Sequence, residues 1–212
     1  MTMIDTARLR AMFDEIAVAI EADKDRLCQL DGVIGDADHG IAMALGFGAV
    51  RDALAALDLS AIEPTALLNT AAKSFLNAVG ASSGPLYATA FIRAAAAVKG
   101  KATLADTDAV AMLQAMAQGI RDRGKAEIGE KTMVDAWQPA AEAAAAAHAT
   151  GKTLAESLDA ALEAAEQGAE GTKDMIAAKG RSSRLGERSL GHVDPGAASA
   201  VTVIGAMRKG LA

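Results

Sequence analysis

The chain has 212 residues and a formal net charge of −6; alanine supplies about a quarter of it and aromatic residues only 3%. Alanine is the strongest helix former, and the β-branched and aromatic side chains that fill strands are thin, so the composition excludes a β-rich fold and favours closely packed helices. The acidic balance argues against non-specific nucleic-acid binding, and no uncharged apolar run reaches the length of a membrane span. The one cysteine, Cys28, has no internal partner, which fits a reducing compartment. Met1–Arg10 carries Asp5, Arg8 and Arg10 and does not read as a signal peptide. The expectation is a soluble cytoplasmic protein with neither a membrane nor a nucleic acid as partner.

Leu9, Phe13, Ile16, Ile20 and Leu27 recur at helical spacing and predict a first helix over Met3–Cys28. Asp31–Gly40 follows as a loop, and a second helix is expected from Gly40 to Leu57 with Ile41, Leu45 and Leu54 on one side. Pro64 opens a third helix through Val79, and Leu86–Lys99 is the fourth. Thr103 or Asp106 caps a fifth, reaching Arg123; after the charged loop Gly124–Lys131, Thr132–His148 is the sixth, kinked by Pro139 or holding it near an end. Thr153 starts a seventh helix whose apolar stripe extends to Ile176. Lys179–Asp194 reads as a polar loop, and Pro195 starts the last helix, through Lys209. Eight helices of similar length joined by short connections predict an all-α, single-domain, antiparallel bundle or barrel over residues 1–212.

In such an arrangement alternate loops share one end, and four unusual loops fall in alternate connections. The first, Asp31–Gly40, holds Asp31, Asp36 and Asp38, with His39 and glycines at 32, 35 and 40. Carboxylates this close repel unless solvated or neutralised, and hard cations such as Mg²⁺ or Ca²⁺ neutralise oxygen clusters of this kind. The spacing does not match an EF-hand loop. The alternative is a cluster of Asx turns and helix caps. Ser82-Ser83-Gly84 offers hydroxyls and free N–H groups where the fourth helix starts, an anion site or a plain cap. Lys125, Lys131, Lys179, Arg181, Arg184 and Arg188 gather in the two later loops and suit a negatively charged ligand at the same rim, or simply water. No Walker A sequence, kinase-type glycine loop or nucleophile elbow occurs.

Taken together, Gly35-Asp36-Ala37-Asp38-His39-Gly40, Gly84-Pro85-Leu86-Tyr87, Arg123-Gly124-Lys125-Ala126, Lys131-Thr132-Met133 and Gly186–Gly196 closely resemble the nucleotide-binding L subunit (DhaL) of dihydroxyacetone kinase, over nearly the whole chain. The resemblance implies an eight-helix antiparallel barrel with ADP at one end. It implies two Mg²⁺ ions on Asp31, Asp36 and Asp38, and ADP contacts from His39, Gly40, Ile41, Ala42, Ser82, Ser83, Gly124, Met133, Arg181, Asp194, Pro195 and Gly196. Asp31, Asp36, Asp38 and Arg181 would then be the catalytic set. Ala42 departs from the family, where asparagine is frequent.

The resemblance further implies that ADP remains bound and becomes ATP at the expense of a phosphohistidine protein of the phosphotransferase system, the M subunit. The γ-phosphoryl group then passes to dihydroxyacetone on a separate K subunit. The absence of an attached K domain leans towards this phosphoenolpyruvate-dependent form. The alternatives are an L subunit using exchangeable ATP on dihydroxyacetone or a related ketose, and a helical adaptor whose aspartate loop binds Ca²⁺.

Overall fold

Capping chemistry sets where the helices of this chain begin. The computed structural model describes residues 3–212, in which α1 spans Thr6–Ile34, α2 His39–Ala55, α3 Pro64–Ala78, α4 Ser83–Ala97, α5 Asp106–Gly124, α6 Val134–Ala149, α7 Leu154–Gly171 and α8 Pro195–Leu211. The Asp5 carboxylate accepts from Arg8 N–H at the start of α1, and Thr153 with Glu156 forms a capping box at α7. Prolines occupy the first position of α3 and α8, where the missing N–H has no intrahelical partner to lose. Short 3₁₀ segments, Thr172–Asp174 and Arg181–Ser189, lie between α7 and α8.

Each helix packs on its neighbour in sequence, and α8 returns to pack along α1, so the eight helices close into an antiparallel ring. One continuous core fills it. All six aromatic residues are in that core: Phe13, Phe47, Phe75, Phe91, Tyr87 and Trp137, meeting mostly edge to face. Alanine lines most of the remaining interfaces and lets the backbones approach closely. At the far end from the polar loops, Ile4 and Leu104 exchange two backbone hydrogen bonds of 2.9 and 2.8 Å, an isolated bridge anchoring the N-terminal segment.

The structure corrects three sequence-based boundaries and one helix face. Helix α1 continues past Cys28 because Asp31 and Ile34 still face inward, and it stops at Gly35, where a Cβ would lie 2.1 Å from Asp31 Oδ1. Asp31 therefore sits in the last helical turn and not in a loop. On α2 the buried face is Met43, Phe47, Val50 and Leu54, while Ile41 and Leu45 are 50% and 59% exposed. Helix α4 begins at Ser83, ahead of Leu86. Helix α7 ends at Gly171, where the Thr172 hydroxyl donates to the Ala169 carbonyl, so Ile176 lies beyond it and is exposed.

Pro139 lies inside α6 and cannot donate to the carbonyl of Asp135 four residues back. That carbonyl meets Gly168 of α7 so closely that a Cβ there would lie 1.9 Å from the oxygen. Gly168→Ala must push α7 from α6, and we expect urea denaturation to show a loss of about 1–3 kcal/mol. Gly205→Ala, whose Cβ would rest 3.5 Å from Leu162, is expected to be neutral or to gain up to about 1 kcal/mol through helix propensity.

Candidate functional site

Ring closure puts the ends of odd-numbered helices and the starts of even-numbered ones at one rim, around a cavity of about 670 Å³. Its wall draws on the start of α2 (Asp38, His39, Ala42), of α4 (Ser82, Ser83), of α6 (Met133, Val134) and of α8 (Pro195, Gly196). Four helix N-termini thus direct their positive ends into one space, which favours an anionic ligand. Neither Ser82 nor Met133 makes a side-chain cap bond; at α6 the first-turn N–H groups are met locally, Val134 donating to Thr132 Oγ1 (3.1 Å) and Asp135 to the Thr132 carbonyl (3.0 Å).

Asp31, Asp36 and Asp38 each place a carboxylate oxygen within 4.8 Å of the others. Asp31 is buried at the end of α1, and its Oδ2 accepts from the N–H groups of Asp38 (2.9 Å) and His39 (3.2 Å). It thereby caps α2, while Asp38, the residue in the cap position, makes no such bond. The cap reading and the ligand reading of this cluster therefore apply to different oxygens. Gly35 is required by contact with Asp31, and Ala37 takes the left-handed conformation (φ 62°) that lets Asp36 and Asp38 point to the same side. From the opposite wall Arg181 reaches over to pair with Asp36 and lies 3.5 Å from Asp38.

The other sequence-predicted residues separate into two groups. His39, Ala42, Ser82, Ser83, Gly124, Met133, Arg181, Asp194, Pro195 and Gly196 line the cavity with the three aspartates. Gly40 and Ile41 do not. Gly40 is packed on α1, where a Cβ would lie 2.0 Å from the Lys24 carbonyl, and Ile41 faces a shallow outer groove with Leu45, Ala78 and Val79. Among the rim cations, Lys179 and Arg184 line the cavity, whereas Lys125 and Arg188 do not.

Two residues that carry the site were not singled out correctly from sequence. Ser199, on the buried face of α8, meets the His39 ring at Nε2 (2.9 Å) and donates to the Gly196 carbonyl. Burial holds the His39 pKa below the usual imidazole value, although Asp31 opposes the shift. The available signal was a hydroxyl inside the small apolar run Gly196–Ala200. Lys131, grouped above with surface cations, is 1% exposed and hydrogen-bonds the carbonyls of Thr172 and His192. Nothing in its immediate sequence marks it for burial.

Asp194 closes the cavity at the start of α8. Its carboxylate accepts from Ala197 N–H (2.8 Å), and its own N–H donates to the Thr172 hydroxyl (2.9 Å). Burial pushes its pKa from 3.8 up to about 7, with the Asp135 charge adding to the rise and the Ala197 bond and Lys131 opposing it. A carboxyl whose pKa is raised in the folded state stabilises the fold below its unfolded value, and that contribution is lost as pH rises through the folded value. Stability should therefore fall between pH 4 and 7, by at most about 1.4 kcal/mol per pH unit from this group. Urea denaturation across that range checks it, and Asp194→Asn is expected to flatten the slope.

Comparison with known proteins places the chain in a family. The DAK2 domain family matches residues 33–209. The ADP-binding subunit DhaL of the PEP-dependent dihydroxyacetone kinase of Escherichia coli (strain K12) is 41% identical over 180 residues, 84% of this chain and 83% of that protein. The DhaL subunit of PEP-dependent dihydroxyacetone kinase 1 of Listeria innocua is 39% identical over 188 residues, 89% of this chain and 88% of that protein. The crystal structure of the C. freundii dihydroxyacetone kinase in complex with AMP-PNP and Mg²⁺ matches with a TM-score of 0.73 and 25% identity, covering 99% of this chain. This chain spans only 35% of that longer one. With the family match running from the end of α1 to the end of α8, the chain belongs to the DAK2 domain family.

Proposed function

We propose that this chain, acting as a single domain in the cytoplasm, is the ADP-binding, Mg²⁺-dependent L subunit of a phosphoenolpyruvate-dependent dihydroxyacetone kinase. It relays a phosphoryl group, through the nucleotide it holds, from the phosphohistidine M subunit to dihydroxyacetone bound by a K subunit. The observation that carries this reading is the meeting of three carboxylates with four helix N-termini at the mouth of one cavity. A dication held by the carboxylates would let an anionic ligand sit beside them.

The donor set fits a hard dication: three carboxylates, all oxygen, with Asp36 and Asp38 exposed and Asp31 held from behind. Two Mg²⁺ ions on Asp31, Asp36 and Asp38 would supply charge neutralisation at the nucleotide phosphates. Asp31 holds its place by capping α2, which leaves its Oδ1, beside Gly35, for the ligand. The Ser82 and Ser83 hydroxyls offer donors to phosphate oxygens, and Met133 with Pro195 and Gly196 provides an apolar wall for the nucleoside. Arg181 neutralises Asp36 and Asp38 from across the mouth. Arg181 is the residue that would offer a delocalised positive charge to the transferring phosphoryl group.

A second reading, exchange of free ATP, draws on the L-erythrulose 1-kinase of Mycolicibacterium smegmatis, 34% identical over 94% of this chain but only 34% of that protein. The higher identity of the DhaL relatives favours the first. Native mass spectrometry of the dialysed protein is expected to find ADP with two Mg²⁺; an empty chain that turns over on added ATP would establish the second. Asp36→Asn is expected to lower phosphoryl transfer roughly 10²–10³-fold while leaving helical circular dichroism unchanged. Full activity in that variant would remove the metal assignment.

A further inference from the structure

Lys131 is an anomaly in three respects. It adopts the left-handed backbone conformation (φ 58°) that side-chain-bearing residues avoid. It is 1% exposed. Among the described residues, no carboxylate comes within ion-pair distance of its ammonium, so the charge is met by the Thr172 and His192 carbonyls. Burial pulls its pKa below the ordinary lysine value, against the pull of Asp194, Asp135 and Asp174. Backbone strain and charge burial are both unfavourable, and their coincidence at one residue beside the cavity points to a role.

The two carbonyls belong to opposite stems of the α7–α8 connection. Between them runs a compact loop with close ends, which carries Arg181. Its stems are also joined by Gly191 N–H to the Lys173 carbonyl (2.8 Å) and Asp194 N–H to the Thr172 hydroxyl (2.9 Å). Higher up, Ala177 N–H donates to Ser189 Oγ (3.0 Å), and Ala178 N–H donates to the carbonyl of Glu130, the neighbour of Lys131 (3.1 Å). The Glu130 carboxylate also lies 3.6 Å from Lys179. The body of the loop is therefore tied to the α5–α6 connection by contacts near the surface, and its neck by one buried ammonium.

We propose that Lys131 is a positioning residue: by bridging the Thr172 and His192 carbonyls it closes the neck of the loop and sets the reach of Arg181 to Asp36 and Asp38. Lys131 also leads into Met133, so one residue fixes the arginine-bearing loop and the α6 side of the cavity together. The neck clamp is a property of the chain by itself; its effect on ligand affinity rests on the nucleotide reading above.

The test removes both donors at near-constant volume with Lys131→Met. Arg181, Arg184 and Arg188 are exposed within the loop and serve as cleavage sites for an arginine-specific protease. In protein free of nucleotide, Lys131→Met is expected to speed cleavage in this loop at least tenfold, roughly the scale on which lost local contacts raise open populations, with helical circular dichroism retained. Leu158→Ala, a core truncation in α7, serves as a control for general destabilisation. Loop cleavage no faster than in that control at matched stability, or equal to the unmodified protein, overturns the proposal. Should Lys131→Met not fold, Lys131→Gln is used, whose shorter amide cannot span both stems; an unmodified cleavage rate there overturns it equally. Titration with ADP and Mg²⁺ is then expected to show at least a tenfold weaker Kd in the variant, about 1.4 kcal/mol. If the unmodified protein binds no ADP, the nucleotide reading fails while the cleavage result still decides the clamp.

Discussion

Closing eight antiparallel helices into a ring forces every even-numbered helix to start at the same end, and the site depends on this constraint. A single helix N-terminus stabilises a nearby negative charge by about 0.3–1 kcal/mol at an exposed position. Four of them around one cavity add their fields where the polar loops already restrict water. The fold supplies an anion-binding surface before any side chain is chosen. Side chains then decide which anion is accepted and how close a cation comes to it.

The acidic cluster shows how that decision is made. Three carboxylates at one rim repel each other, yet each also sits in the positive potential of the helix starts. Asp31 exploits this fully, since it accepts two N–H bonds from the beginning of α2 while remaining at the cavity wall. Asp36 and Asp38 stay exposed and take their compensation from Arg181 across the mouth. The result is a mouth whose two sides are drawn together by charge, with the cationic side carried on a loop and the anionic side on helix ends.

Much of this arrangement was legible in the residues. Alanine content and apolar spacing indicated the helices, and the alternation of unusual loops indicated a shared rim, because both follow from local periodicity and connection length. What could not be read depended on long-range packing. Ile41 and Leu45 have the spacing of a core stripe but face outward, because Met43 and Phe47 offer an equally periodic alternative and the aromatic cluster selects it. The extension of α1 through Asp31 required knowing that Asp31 would turn inward to cap α2. The burial of Lys131 was invisible for the same reason, since both its partners are backbone carbonyls more than 40 residues away, as the separations of 41 and 61 attest. The resemblance to a known family named most of the residues that line the cavity, with Gly40 and Ile41 the exceptions, but not the burial of Lys131 or the contact of Ser199 with His39.

The aromatic cluster has a spectroscopic consequence. Trp137 is the chain's only tryptophan, fully buried in the first turns of α6, with its ring edge-on to Tyr87 of α4 at a centroid separation of 6.1 Å. Its emission therefore originates from one dry environment between two of the four helices whose starts form the rim. With no second indole to dilute the signal, a shift in wavelength or quantum yield reports the spacing of α4 and α6 directly. The protein carries an intrinsic optical gauge of its own cavity.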